Sequence, residues 1–336
     1  MINLPVTLVV PTCNMSKQLQ PILDSLLTSG LAQACEIVLF VNDASTDNTQ
    51  AVLEKFRDDN NLKDKVQILT FKANKGRFDA RKEGALATTS KNLLYLDTRI
   101  EIPNGFVTSF AKLIPQYKVI QGTVRIPSKE SIYSLYWERS HQFIFKNHYK
   151  DQTSGFWLIP ENYEKYTCGT TIFYCERKIF IEACNKFPTT PLSDDRALIK
   201  VICEMEKIWV TDQLEVIWRP RQTLSEYIFR IWERGPTFVA YHVYDPGSHL
   251  KWPIFLGLVI LLLNLLIMIF NSSVWPSFAL IQFTLIAMTV IFFTRNPIEI
   301  IKLTGLHLAV VFTFGFGVLW GLIKEFPFLA KRDKNE

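Results

Sequence analysis

The stretch EIVLFVNDASTDNT, residues 36–49, decides the fold. Glu36–Asn42 is an almost unbroken apolar run, as in a strand buried on both faces. Ser45, Thr46 and Asp47 then supply cap candidates for a helix expected over Asp47–Phe56. The same unit recurs on either side. Leu4–Pro11 reads as a strand, and Lys17–Ser29 as a helix through Leu19, Ile22, Leu23, Leu26 and Leu27. Val66–Phe71 is a third strand, Phe78–Thr88 a helix, and Asn92–Asp97 a fourth strand. Strand alternating with helix implies a doubly wound, mostly parallel α/β sheet, which binds ligands where its strands end. Polar clusters sit at those ends: Thr12–Asn14, Asn42–Asp47, Asn74–Arg81 and Asp97–Glu101. No GxGxxG follows the first strand, which argues against a dinucleotide fold.

The 336 residues carry a net charge of +5, too mild to imply nucleic acid, and no basic stripe is interleaved with aromatics. The six cysteines form no CxxC pair and the five histidines no HxxxH, which leaves free thiols and no His-based metal site. The N-terminus lacks the basic and apolar regions of a signal peptide, so the catalytic part is expected in the cytoplasm.

Beyond Lys251 the chain changes character. Trp252–Phe270 and Val274–Phe293 carry no charge, and Leu306–Ile323 is apolar apart from His307 and its glycines. A bilayer core of about 30 Å needs about 20 such residues in a helix, so two to three spans are expected. Arg295 and Lys302 place the second link on the cytoplasmic side. Just before the first run, Leu224, Tyr227, Ile228, Ile231 and Trp232 fall at helical spacing with Arg230 and Arg234 between them. That pattern suits a helix lying at a membrane interface, or an amphipathic helix packed on the domain. The expected organisation is a catalytic domain over 1–222, an interfacial linker over 223–250, a membrane region over 251–323 and a basic tail over 324–336.

Taken alone, VNDASTDNT is only a capped strand-to-helix turn. In company it says more. The order PTCN, NDASTDNT, NKGRFDARKEGA, LLYLDTR and LSDDRALIK resembles the family-two inverting glycosyltransferases of the GT-A fold, over about Leu4 to Gln222. That resemblance implies a nucleotide-diphosphate sugar donor, a divalent metal (Mg or Mn) and a single carboxylate base. It places Pro11, Thr12 and Asn14 at the nucleotide pocket and makes Asp43 the nucleoside-binding carboxylate. Asn74, Gly76 and Arg81 would close over the nucleotide and its diphosphate. Asp97 matches the first carboxylate of the family's metal-binding DxD motif, whose second position here is Arg99. Asp195 matches the base, with Asp194 as neighbour and Arg196 as a partner. The Asp-Asp-Arg triplet is similar to that of hyaluronan and related polysaccharide synthases. Their Gln-x-x-Arg-Trp element is missing; Arg221, Gln222, Trp232 and Arg234 stand in that region as acceptor-side candidates.

Inverting transfer is a one-step displacement in which diphosphate leaves with negative charge, so the site needs cations or donors there. The incoming hydroxyl must lose its proton to a carboxylate within reach, the role given to Asp195. From the residues alone, Asp194 and Asp195 equally suit a helix N-cap before ALIKVICEM. Cys168–Thr171 reads as an acceptor floor or a strand entry, and the aromatics of Lys129–Lys150 as packing. If Tyr95–Glu101 is extended, Arg99 lies between Asp97 and Glu101 on one face. It then supplements a metal held by Asp97, or replaces it on the donor phosphates. Expected partners are a nucleotide-sugar donor, a lipid-linked or membrane-proximal glycan acceptor, and membrane lipids. A polyprenyl-phosphate acceptor, which needs no base, is one alternative. A non-enzymatic membrane scaffold with a decayed transferase domain is the other. The apolar runs predict that the full-length protein sediments with membranes; solubility without detergent would refute this.

Overall fold

The computed structural model describes residues 2–151, 155–186, 195–242 and 251–332. The chain divides into two compact units: Met1–Pro127 with Phe145–Arg219, and Ser128–Ile144 with Pro220–Glu336. Residues 128–144, which the sequence reading left in the first domain, therefore group with the C-terminal helices.

In the first unit, nine strands among the described residues form one sheet. They are β1 (Leu4–Thr12), β2 (Cys35–Asn42), β3 (Val66–Thr70), β4 (Asn92–Leu96) and β5 (Ile100–Glu101), then β6 (Val119–Arg125), β7 (Phe156–Leu158), β8 (Ile172–Glu176) and β9 (Ile208–Trp218). Their order is β3-β2-β1-β4-β8-β6-β9-β5, with β7 paired to β9. The first four are parallel, and β8 runs antiparallel between β4 and β6. Val6, Leu8, Val9 and Val10 of β1 are fully buried, because helices cover both faces of a parallel sheet. That is why the strand reads as an unbroken run.

Register brings the strand ends level. Thr12 pairs with Asn42, and Asn42 with Thr70. The chain then leaves each strand at one edge, where the polar clusters collect. The helix Arg77–Leu86 lies unusually close above β1 and β2. A Cβ on Gly84 would come 2.6 Å from Val9 Cγ1 and 3.1 Å from Val41 Cγ2, so only glycine allows this approach.

The second unit is helical: Ile132–Ile144, Leu224–His242, Lys251–Phe270, Trp275–Met288 and Pro297–Arg332. The apolar run after Val274 is a helix that tightens into a 3₁₀ turn over Thr289–Phe292. The third run, expected to begin at Leu306, is part of one helix that starts at Pro297. Among the described residues two stretches, Trp275–Phe292 and Pro297–Lys324, are long and apolar enough to cross a membrane; Phe255–Phe270 is a shorter apolar helix.

Helix Leu224–His242 buries Tyr227 and Ile231 with Tyr136, Val290, Leu303 and Leu306. It meets Pro297–Arg332 at glycines: a Cβ on Gly235 would sit 2.2 Å from the Gly317 carbonyl carbon. Pro236 has no N–H, which frees the Trp232 carbonyl four residues earlier, and that oxygen faces Gly317. Polar contacts fasten Ile132–Ile144 to the same helices. Tyr136 Oη lies 2.8 Å from His307 Nδ1, and Arg139 reaches both Glu299 oxygens at 2.9 and 3.0 Å. A Cβ on Gly317 would lie 2.6 Å from the Trp232 oxygen, whereas one on Gly305 meets nothing within 4 Å. Gly317→Val should therefore cost about 1–3 kcal/mol by thermal unfolding in detergent. Gly305→Ala should be neutral or stabilising by about 0.5–1 kcal/mol.

Candidate functional site

Two loops are laced together beyond the ends of β1 and β2. Asn14 and Ala44 both adopt left-handed backbone (φ 53° and 52°). The Asn14 side-chain oxygen accepts the Thr46 N–H at 2.8 Å, and the Asn14 N–H donates to the Ser45 hydroxyl at 2.9 Å. Asp47 accepts the N–H and hydroxyl of Ser16 at 3.0 and 2.7 Å, and the Thr49 N–H at 3.0 Å. Thr12, expected at the nucleotide pocket, ends β1. Its hydroxyl is buried and donates to the Val41 carbonyl at 3.2 Å, so its side chain serves the sheet. Pro11 precedes it, half-buried in β1.

Asp43 anchors a third loop. Its carboxylate oxygens accept the N–H groups of Lys75 and Gly76 at 2.7 and 2.9 Å, while the Asn74 amide donates to its carbonyl at 3.3 Å. Gly76 has φ 87°, which admits glycine far more readily than any other residue. The carboxylate expected to meet a nucleoside thus first shapes the loop, and each oxygen keeps a lone pair for a ligand donor.

From that loop springs helix Arg77–Leu86, with Arg77 and Arg81 one turn apart on one face. Arg81, expected over a diphosphate, grips Asp195, from Nη1 at 2.6 Å and from Nη2 at 3.3 Å. The Thr170 hydroxyl donates to the same carboxylate at 2.8 Å. Asp195 opens helix Asp195–Met205, whose positive end also favours a carboxylate. Arg196, expected beside Asp195, lies instead over the Tyr163 ring at 4.9 Å. Successive side chains of a helix point in different directions, so neighbours in sequence need not share a partner. Asp194 lies outside the described residues.

Asp97 follows β4. Here the extended reading of Tyr95–Glu101 fails, because residues 98–99 form a turn before β5. Arg99 folds back onto Asp97, with N–H to Oδ1 and Nη2 to Oδ2 both 3.2 Å, and its guanidinium lies 5.0 Å from the Trp218 ring. Glu101, the other expected partner of Arg99, is paired with Arg219 at 2.7 Å.

Burial pushes both site carboxyls up, and cations more than reverse it. Arg99, through its charge and backbone N–H, and Arg77 bring Asp97 down to about 2. Arg81, Arg77 and the Thr170 hydroxyl hold Asp195 below the ordinary carboxylate range, against opposition from Asp97. Arg77 and Trp218 were not among the sequence candidates, and Thr170 entered only within Cys168–Thr171, read as an acceptor floor or a strand entry. The i, i+4 spacing to Arg81 was a signal for Arg77; that Thr170 would meet Asp195, 25 residues away, had none. Arg221, Gln222, Trp232 and Arg234 belong to the second unit. There Gln222 donates to the Pro220 carbonyl at 2.8 Å, and the Arg234 guanidinium lies 4.3 Å from the Trp137 ring.

Two carboxylates and three guanidiniums at the sheet's edge suit a ligand that carries phosphate and presents a proton to be removed. Residues 7–170 match the family described as Glycosyl transferase family 2. The mannosyltransferase PcManGT from Pyrobaculum calidifontis, solved in complex with GDP-Man and Mn2+, aligns at a TM-score of 0.59 and 15% identity, over 95% of this chain and 88% of that one. S. aureus TarS 1-349 in complex with UDP aligns at 0.47 and 15%, over 93% and 88%. No curated protein matches the sequence. Residues 7–170 thus resemble glycosyl transferase family 2, and the sheet is mixed and mostly parallel, like that of the GT-A glycosyltransferases.

A carboxyl lowered on folding stabilises the protein above its unfolded value, about 3.9, and that contribution disappears as pH falls through the folded value. For Asp97 the window runs from about 4 down to about 2. In metal-free buffer the melting-temperature gap between wild type and Asp97→Asn should be open at pH 6 and close across that window.

Proposed function

We propose that the chain is an inverting glycosyltransferase that moves a sugar from a nucleotide-diphosphate sugar to a hydroxyl of a lipid-linked or membrane-proximal glycan. Its catalytic unit would be cytoplasmic, with the C-terminal helices in the membrane. One observation carries this reading: a partly buried carboxylate, Asp195, held among Arg77, Arg81 and Asp97 at the end of a sheet whose strands match a glycosyltransferase family.

In this mechanism the Asp43 loop and the Asn14 turn seat the nucleoside. Arg77 and Arg99 face the diphosphate. Asp195 accepts the acceptor's hydroxyl proton as that oxygen bonds to the anomeric carbon, and the sugar–phosphate bond breaks with its electron pair leaving on the nucleoside diphosphate.

A divalent cation fits the site with Asp97 as its protein ligand. Among the described residues no group of three or more His, Cys, Asp or Glu side chains could hold a metal ion. Mg2+, however, needs only one or two carboxylates besides phosphate oxygens and water. Asp97 is ionised throughout the working range, and its contacts to Arg99 are long enough to exchange. Bound there, the cation would offset negative charge on the leaving diphosphate.

A panel of UDP-, GDP-, TDP- and CMP-sugars with Mg2+ or Mn2+, read by thermal shift on the full-length protein in detergent, tests the donor. A ligand at 100-fold its Kd stabilises by about 2.7 kcal/mol. Asp195→Asn should lower transfer to a hydroxyl acceptor by ~10²–10⁴ while still binding nucleotide. EDTA should abolish turnover. Activity that survives EDTA but is lost in Arg99→Ala would assign the metal's place to the guanidinium. The grip of Arg81 on Asp195 also suits a purely positional carboxylate, as a phosphate acceptor would allow; normal turnover in Asp195→Asn would select that reading.

A further inference from the structure

The base proposed above is held in the least basic arrangement the site offers. Arg81 clasps Asp195 with two N–H groups, Thr170 donates a third hydrogen bond, and only 19% of the Asp195 side chain is exposed. A carboxylate so satisfied is fully ionised but a poor proton acceptor. Arg81 itself is incomplete. The residue is 8% exposed, yet its Nε–H is buried and has no hydrogen-bond partner among the described residues. A buried donor without an acceptor is costly, the more so when charged. One turn earlier on the same face stands Arg77, exposed, and close enough to lower both Asp97 and Asp195. Helix Arg77–Leu86 cannot retreat far from the sheet without opening the contact of Gly84 with Val9 and Val41. Arg81 is therefore held against the sheet, both tip nitrogens on Asp195 and its inner Nε–H short of an acceptor.

Resting on the glycosyltransferase reading, we infer that Arg81 is a positioning residue that latches Asp195 until the donor's diphosphate competes for its guanidinium, so that donor binding frees the base. Phosphate oxygens are the acceptors a guanidinium matches best, so a diphosphate is a strong competitor for the Arg81 fork. Arg77 would draw the diphosphate towards that helix face. Once Arg81 is shared with phosphate, Asp195 loses part of the charge that suppresses its proton affinity. The acceptor proton then passes to Asp195, and the electron pair of the broken sugar–phosphate bond stays on the nucleoside diphosphate.

The latch makes Asp195 and the donor rivals for one side chain, and a double-mutant cycle on donor affinity reads that rivalry. The probe is the nucleotide-sugar that stabilises the protein in the panel above, titrated calorimetrically into full-length wild type, Asp195→Asn, Arg81→Gln and the double variant. Asp195→Asn should bind the donor about tenfold more tightly than wild type, because Arg81 is released to it. In the Arg81→Gln background the same change should alter Kd by less than about threefold. Donor-affinity gain with loss of turnover is a split that a merely structural pair would not produce. If Arg81→Gln does not fold, Arg81→Lys replaces it, since a lysine keeps the charge without the two-point grip. An unchanged or weaker Kd in Asp195→Asn overturns the latch. So does equal tightening in both backgrounds, which is plain removal of negative charge. Absence of nucleotide-sugar binding in all variants overturns the glycosyltransferase reading and the latch with it.

Discussion

A carboxylate taken out of water at the edge of a sheet needs a cation, and Asp195 has one only because the helix bearing Arg81 lies against β1 and β2. That approach depends on Gly84, where a side chain would strike Val9 and Val41. The loop before the helix is shaped by Asp43, which holds the amides of Lys75 and Gly76. Asp43 in turn is placed by the end of β2, where its own N–H bonds the Thr12 carbonyl at 2.8 Å. The chain of dependence runs from strand register to loop, from loop to helix, and from helix to ion pair. Residues far apart in sequence become one site because four strands end level.

Charge at that site is unusual in its balance. Where a DxD motif would set a second carboxylate, Arg99 turns back to pair with Asp97 and packs on Trp218. Around Asp97 and Asp195 themselves, the three guanidiniums of Arg77, Arg81 and Arg99 gather against two carboxylates. A diphosphate is the kind of ligand that suits such an excess. Both carboxylates remain ionised well below neutrality, which makes the pairings persistent rather than pH-gated near physiological conditions.

The second unit solves a different problem. Its helices are apolar on most sides, with Leu280, Ile281 and Phe292 largely exposed. Two stretches of these helices, Trp275–Phe292 and Pro297–Lys324, are long and apolar enough to cross a membrane. Two polar clusters there are satisfied internally: His307 between Tyr136 and Thr289, Glu299 among Arg139 and Thr294. The insertion Ser128–Ile144 supplies half of these partners. A segment from the middle of the chain thereby completes the C-terminal helices.

Sequence determined the strand-and-helix alternation, the parallel half of the sheet and the edge where the polar clusters gather. Apolar runs and caps are local signals that physics reads within ten or so residues. The apolar character of the C-terminal region was equally plain, for the same reason. Which side chains meet at the edge was decided only by tertiary structure. Asp195 had Arg196 beside it in sequence and Arg81 far away, yet helix geometry turned the neighbour onto Tyr163 and brought the distant residue into contact. Asp97 and Glu101 competed for Arg99 on paper, and a turn at 98–99 settled it by folding Arg99 onto Asp97 and leaving Glu101 to Arg219. The aromatic segment 132–144 carried a packing pattern but no address, because an amphipathic face specifies that it must be buried and not against what.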